Sequence, residues 1–210
     1  MRPVRKTFTL AALDADGYVA SANINSVAVG SAYTIRAAAT HPNDGASHPV
    51  TITSAGDATG TVFTVTGTDA EGRTISEDIT GADTNVATST KYYADVTSVV
   101  RKSGVTGAVA ITVGYTALAR TPIYPVNTFG RIGPVVMVDI GGTVTFSAMA
   151  TNGDVFSIAS DTLYFEAITG MNNVTADVSG APVAGCTGIR IHVASHTSGT
   201  LAVTYSQGRG

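Results

Sequence analysis

Tryptophan is absent, and a single cysteine, Cys186, serves a chain of 210 residues. One thiol rules out an intramolecular disulfide and a cysteine-rich metal site. Charge is also scarce. Asp, Glu, Lys and Arg together make up 13% of the chain, about half the usual share of a soluble domain. The net charge is −3 and there is no basic stripe, which argues against a general nucleic-acid binder. No apolar run has membrane length, and the start MRPVRKTFTLAALDADG lacks the hydrophobic stretch of a signal peptide, so neither anchoring nor export is expected. Helical periodicity never extends beyond a turn or two.

What fills the chain instead is alternation. One signature occurs four times: a glycine, a Thr or Ala, then large apolar residues alternating with small or hydroxylated ones. It reads Gly60-Thr61-Val62-Phe63-Thr64-Val65, Gly107-Ala108-Val109-Ala110-Ile111-Thr112-Val113, Gly142-Thr143-Val144-Thr145-Phe146-Ser147 and Gly199-Thr200-Leu201-Ala202-Val203-Thr204-Tyr205. Period-two alternation sends one face of an extended strand to a core and the other outward, with the glycine as the expected turn. The 23 glycines and 7 prolines punctuate such strands. The fold class expected is all-β, with two β-sandwich or jelly-roll-like modules of antiparallel strands joined by a Pro-containing linker.

Strands are expected over 7–13, 27–29, 33–35, 50–53, 92–100, 108–115, 135–140, 144–149, 163–168, 174–178, 189–194 and 201–205. Residues 63–79 read as a hairpin with a tight turn at Glu71-Gly72. The run Leu118-Ala119-Arg120-Thr121-Pro122-Ile123-Tyr124-Pro125 interrupts the rhythm. The domains expected are therefore 1–117 with a basic N-terminal arm, a linker over 118–131, and 132–210.

No set of residues in the sequence converges on catalysis. Asp14-Ala15-Asp16-Gly17 starts like a calcium loop, but Asn25 stands where the distal glutamate belongs, and the motif reads as a turn. Asp69, Glu71, Glu77 and Asp78 crowd one hairpin, where carboxylates are ordinarily solvated. His41 and His48 flank a loop rich in Pro, Asn and Gly. His192 and His196 would share a face only on a helix, and Ile191 and Val193 argue for a strand. Cys186, in Ala184-Gly185-Cys186-Thr187-Gly188, is expected to be a small packed residue near a turn, without the base a nucleophile needs. No catalytic residue, metal or cofactor is expected. Arg2, Arg5 and Lys6 are the candidate partner-binding residues.

The stretch from Ile189 to Gly208, with its Ile-Arg-Ile strand, Ser198-Gly199-Thr200 turn, alternating strand and Gln207-Gly208 tail, resembles the closing strands of small virion structural proteins of tailed bacteriophages. The start Met1-Arg2-Pro3-Val4-Arg5 and the strand Gly142 to Phe146 are similar to theirs too. In the first half, Phe63 to Thr68, Asp69-Ala70-Glu71-Gly72-Arg73, Glu77 and Ile79-Thr80-Gly81, followed by Tyr92 to Val99, resemble another phage hairpin pattern. The second module lacks the tryptophan and paired-aspartate turn common in such proteins.

The resemblance implies a non-enzymatic virion component made in the bacterial host cytoplasm. It would be a capsid decoration (cement) protein that self-associates, as a trimer by preference, and contacts the major capsid protein through Arg2, Arg5 and Lys6. No nucleic-acid or membrane partner is implied. The alternative is a neck or tail accessory, or a fibre-associated protein that binds host glycan, with the His41 to His48 loop as a contact. A depolymerase on a β-scaffold ranks last.

Overall fold

The structure is a computed structural model and describes residues 3–104, 107–126, 134–182 and 185–206. In chain order its strands are β1 (Val4–Thr9), β2 (Asp14–Asn23), β3 (His48–Ser54), β4 (Val62–Thr68), β5 (Thr74–Thr80), β6 (Val86–Tyr93) and β7 (Asp95–Ser103). They continue with β8 (Ala110–Tyr115), β9 (Ala119–Arg120), β10 (Tyr124–Pro125), β11 (Val135–Thr151), β12 (Glu166–Ala167), β13 (Val178–Gly180) and β14 (Gly188–Ser206). Two single turns of 3-10 helix, Ile24–Ser26 and Ala38–Thr40, are the helical elements among the described residues. The protein is all-β and its paired strands run antiparallel.

Two compact units share the chain. Unit one takes the described residues of Met1–Ala12, Asp44–Ala46 and Ala117–Gly210, and unit two those of Leu13–Asn43 and Ser47–Thr116.

Unit one is built on β11 and β14, which pair from Val135↔Ser206 to Thr151↔Gly188. Their alternation fills the core: Val136, Val138, Val144, Phe146 and Ala148 from β11 meet Ile189, Ile191, Val193, Leu201 and Val203 from β14. β1 pairs with β14 from Val4↔Tyr205 to Thr9↔Thr200 and adds Phe8 to that core. The strand expected to open an N-terminal module thus belongs with the C-terminal half, because Phe8 and Leu10 are buried there.

The segment expected as a linker is also sheet. Ala119 and Arg120 pair with Val193 and His192, and Tyr124 and Pro125 with Ile189 and Gly188. Pro122 has no N–H to give the ladder. Beside it, the Thr121 hydroxyl accepts a hydrogen bond from the Ile191 amide at 2.9 Å, while the Thr121 amide donates to the Ile191 carbonyl at 3.0 Å. Tyr124 then stacks on Tyr205, with centroids 4.2 Å apart and planes 4° from parallel.

The four strands expected over 135–149 and 189–205 are two long ones. Gly142 and Gly199, read from sequence as turn glycines, instead face each other inside the β11–β14 ladder, at φ 102° and 128°. A Cβ on Gly199 would lie 1.8 Å from the Gly141 carbonyl oxygen. Glycine lets two backbones approach here, and the register shifts just beyond, between Thr143 and Val144.

Unit two is β-sandwich-like, with a four-stranded sheet ordered β2-β8-β3-β6 and a three-stranded sheet ordered β5-β4-β7. The expected hairpin is β4–β5, paired from Val62↔Thr80 to Thr68↔Thr74, with Gly72 at φ 77° in its turn. The expected strand over 92–100 divides at Ala94. Tyr93 pairs with His48 in one sheet and Asp95 with Thr68 in the other, so the chain changes sheets there. Residues 27–35, expected as two short strands, form a turn and an isolated bridge from Ala32 to Val100. Tyr33 and Phe63 are buried and their rings lie 6.2 Å apart.

Candidate functional site

Arg5 and Lys6 are positioned by an edge strand and do not form a loose arm. Arg2 lies outside the described residues. β1 has β14 on one side and, among the described residues, no strand on the other. Arg5 Nη2 sits 3.2 Å from Asp139 Oδ2, both groups exposed, an ion pair weakened by solvent. Lys6 is exposed next to it. β1 is thus a short, polar, open edge, and such an edge can accept a further strand through its unpaired main-chain groups.

Most groups weighed from the sequence are committed to structure. Asp14 Oδ1 accepts the Asp16 amide at 3.0 Å, and Asp16 Oδ2 is held by Arg36 Nη1 at 2.7 Å. Instead of ending a strand, the Asp-Ala-Asp-Gly motif opens β2. Asp69 is buried and its Oδ1 accepts the Glu71 and Arg73 amides at 3.0 and 2.8 Å, which shapes the hairpin turn. Glu77 accepts hydrogen bonds from β6. Asp78 bonds Lys102 and the Thr64 hydroxyl, and these hydrogen bonds, that from Lys102 foremost, hold its carboxyl below the usual range.

The imidazoles are likewise engaged. His41 Nδ1 donates to Asp95 Oδ1 at 2.6 Å, His48 Nδ1 to the Thr116 carbonyl at 3.1 Å, and His196 Nδ1 to the Ala117 carbonyl at 2.9 Å. His48 is fully buried and the His41 side chain nearly so. Both rings are held in the fold, His41 by Asp95 and His48 by the Thr116 carbonyl. His192 lies on β14 as its neighbours suggested, and its pKa is lowered to about 4, first by burial and then by the charges of Arg120 and Arg190. Among the described residues no three His, Cys, Asp or Glu side chains gather to hold a metal.

Two features of unit one were missed in the sequence. The first is the segment 152–165, expected to end in a strand from residue 163. It carries Phe156 and Tyr164, 77% and 81% exposed, with Ile158 also exposed. The segment is well built. The Asp154 carboxylate accepts the Phe156 and Ser157 amides at 3.0 and 3.2 Å. Val155, Leu163 and Phe165 form a small core of their own. Arg190 lies over the Phe165 ring at 3.6 Å and donates to the Ser160 carbonyl at 3.2 Å.

The second is a cavity of about 310 Å³ at the base of that segment, lined by Thr151, Asn152, Tyr164, Glu166 and Thr169 and closed on one side by Cys186. Cys186 is buried, and burial pushes its thiol pKa up, so the thiol is a wall and a poor nucleophile. An aromatic in sequence reads as core, and nothing in Leu163-Tyr164-Phe165 tells which ring turns outward. No protein-family model matches the chain, and no curated protein matches it.

Proposed function

We propose that the chain is a non-enzymatic structural component of a tailed-phage virion, a capsid decoration protein that assembles as a homo-oligomer, with a trimer favoured. The observation that carries the assembly part is that unit one has both an edge strand, β1, open among the described residues, and an apolar outcrop at Phe156, Ile158 and Tyr164. Edges and exposed apolar patches are the surfaces that associate, and a chain with 13% charged residues has little electrostatic defence against it. The virion assignment rests on the strand-and-turn resemblance of residues 189–208 and 63–99.

Absolute mass by size exclusion with light scattering is the test. A trimer supports the decoration reading. A six- or twelve-membered ring moves the protein to the neck, and a monomer at every concentration removes self-association. Sedimentation with capsids then tests Arg5 and Lys6. The Arg5→Ala/Lys6→Ala double variant lowers occupancy if the edge strand meets the capsid, and unchanged occupancy rejects that role.

A further inference from the structure

We propose that the cavity beneath Tyr164 binds one neutral pyranose ring of a saccharide. This inference does not rest on the assembly reading: it shares Tyr164 with the apolar outcrop, and its polar residues, Asn152, Glu166 and Thr169, are ones that reading leaves unused. The cavity, about 310 Å³, falls at the small end of ligand sites, which run from about 300 to 1,000 Å³.

Its chemistry is mixed in a particular way. Tyr164 places an aromatic ring, 81% exposed, in the wall. Asn152, Glu166 and Thr169 contribute an amide, a carboxylate and a hydroxyl. Among the described residues none of these four side chains makes a hydrogen bond, ion pair or ring contact, so their capacity is open to a ligand. By contrast, the Thr151 hydroxyl is already occupied by the Gly153 amide at 3.1 Å.

A pyranose matches each part. Its axial C–H face is apolar and packs on an aromatic face, while its ring hydroxyls both donate and accept. A carboxylate beside an amide accepts from and donates to neighbouring hydroxyls, and a charge-assisted bond to the carboxylate is the strongest available. The same carboxylate selects against other ligands. An anionic sugar or a phosphate meets like charge, and a purely apolar ligand strips water from Glu166 without replacing its hydrogen bonds.

The test is saturation-transfer NMR on the full chain with methyl α-glucopyranoside, methyl β-galactopyranoside, N-acetylglucosamine and, as the anionic counterpart, glucuronate. At least one neutral probe is expected to receive saturation, and glucuronate to bind more weakly than methyl α-glucopyranoside. Tyr164→Ala, at an exposed position, is expected to keep the wild-type melting temperature and weaken the neutral probe roughly three- to tenfold. Glu166→Gln is expected to abolish the discrimination against glucuronate. No transfer to any neutral probe overturns the proposal, as does an unchanged Kd in a folded Tyr164→Ala protein. Glucuronate binding as well as glucoside in the wild type overturns the role of Glu166.

Discussion

Glu77 on β5 bonds the edge of β6 through its side chain: its carboxylate accepts the Thr90 amide at 2.9 Å, the Lys91 amide at 2.9 Å and the Thr90 hydroxyl at 2.9 Å. β5 lies in the three-stranded sheet of unit two and β6 in the four-stranded one. One side chain therefore does between sheets what a backbone ladder does within them. Glu77→Ala leaves two amides without that acceptor and is expected to destabilise the protein by about 1.5–3 kcal/mol. Urea unfolding measures it, and a change below about 0.5 kcal/mol refutes the linkage.

Arg101 is a buried guanidinium on β7 that donates to the carbonyls of Val27 at 3.1 Å, Gly104 at 3.2 Å and Ile24 at 3.4 Å. Together with the main-chain hydrogen bonds from the Gly30 amide to the Arg101 carbonyl and from the Arg101 amide to the Ser31 carbonyl, at 2.7 and 3.1 Å, it anchors residues 24–31 to β7. Arg101→Met removes the donors while keeping the bulk, and a loss of about 3 kcal/mol is expected. Arg101→Lys reaches fewer carbonyls and should fall between. Equal stability of all three proteins by thermal melting would contradict this role.

Glycine is required at Gly199 for both conformation and space, whereas Gly72, at φ 77°, has open space where a Cβ would point. Gly199→Ala is expected to cost about 3 kcal/mol or more, from backbone strain and the clash with the Gly141 carbonyl. Gly72→Ala should cost only about 1–2 kcal/mol. Calorimetry on the pair separates the two effects, and similar melting temperatures would show that the strand crossing is not tight.

His192 gives unit one a pH dependence of defined sign. Its folded pKa of about 4 lies below the ordinary 6.5. Between those values the unfolded chain binds a proton that the folded chain does not, so this component of stability is lost as pH falls from 6.5 towards 4 and is complete above 6.5. His192→Gln is expected to flatten that limb. Melting temperatures of both proteins from pH 4 to 7 check it, and parallel curves refute it.

Local alternation made most strands legible. The β4–β5 hairpin and β3 follow the sequence pattern closely, because Val, Ile, Phe and Thr alternate there between turn residues. What alternation does not encode is partnership. Nothing near Phe8 indicates that its strand pairs with Leu201, and nothing around Gly142 distinguishes a turn from a crossing that needs Gly199 opposite. Ala94 is equally silent, since the strand character of its flanks is correct and only their sheets differ. At the cavity, Cys186 was legible as a packed small residue. Tyr164 was not, because outward orientation depends on Leu163 and Phe165 being claimed by a core assembled from Val155.

The pairing of β1 with β14 also orders events in time. Unit two, within Leu13–Thr116, has all its strands once that stretch is made, whereas β1 must wait for residues 200–205. During synthesis from the N-terminus, the earlier unit can close while the first strand stays unmatched. Closure of unit one then joins segments almost two hundred residues apart, a contact of high order and slow formation. Until that moment Val4–Thr9 is a strand without a sheet, and a chain stalled before residue 200 exposes it to whatever edge is nearest.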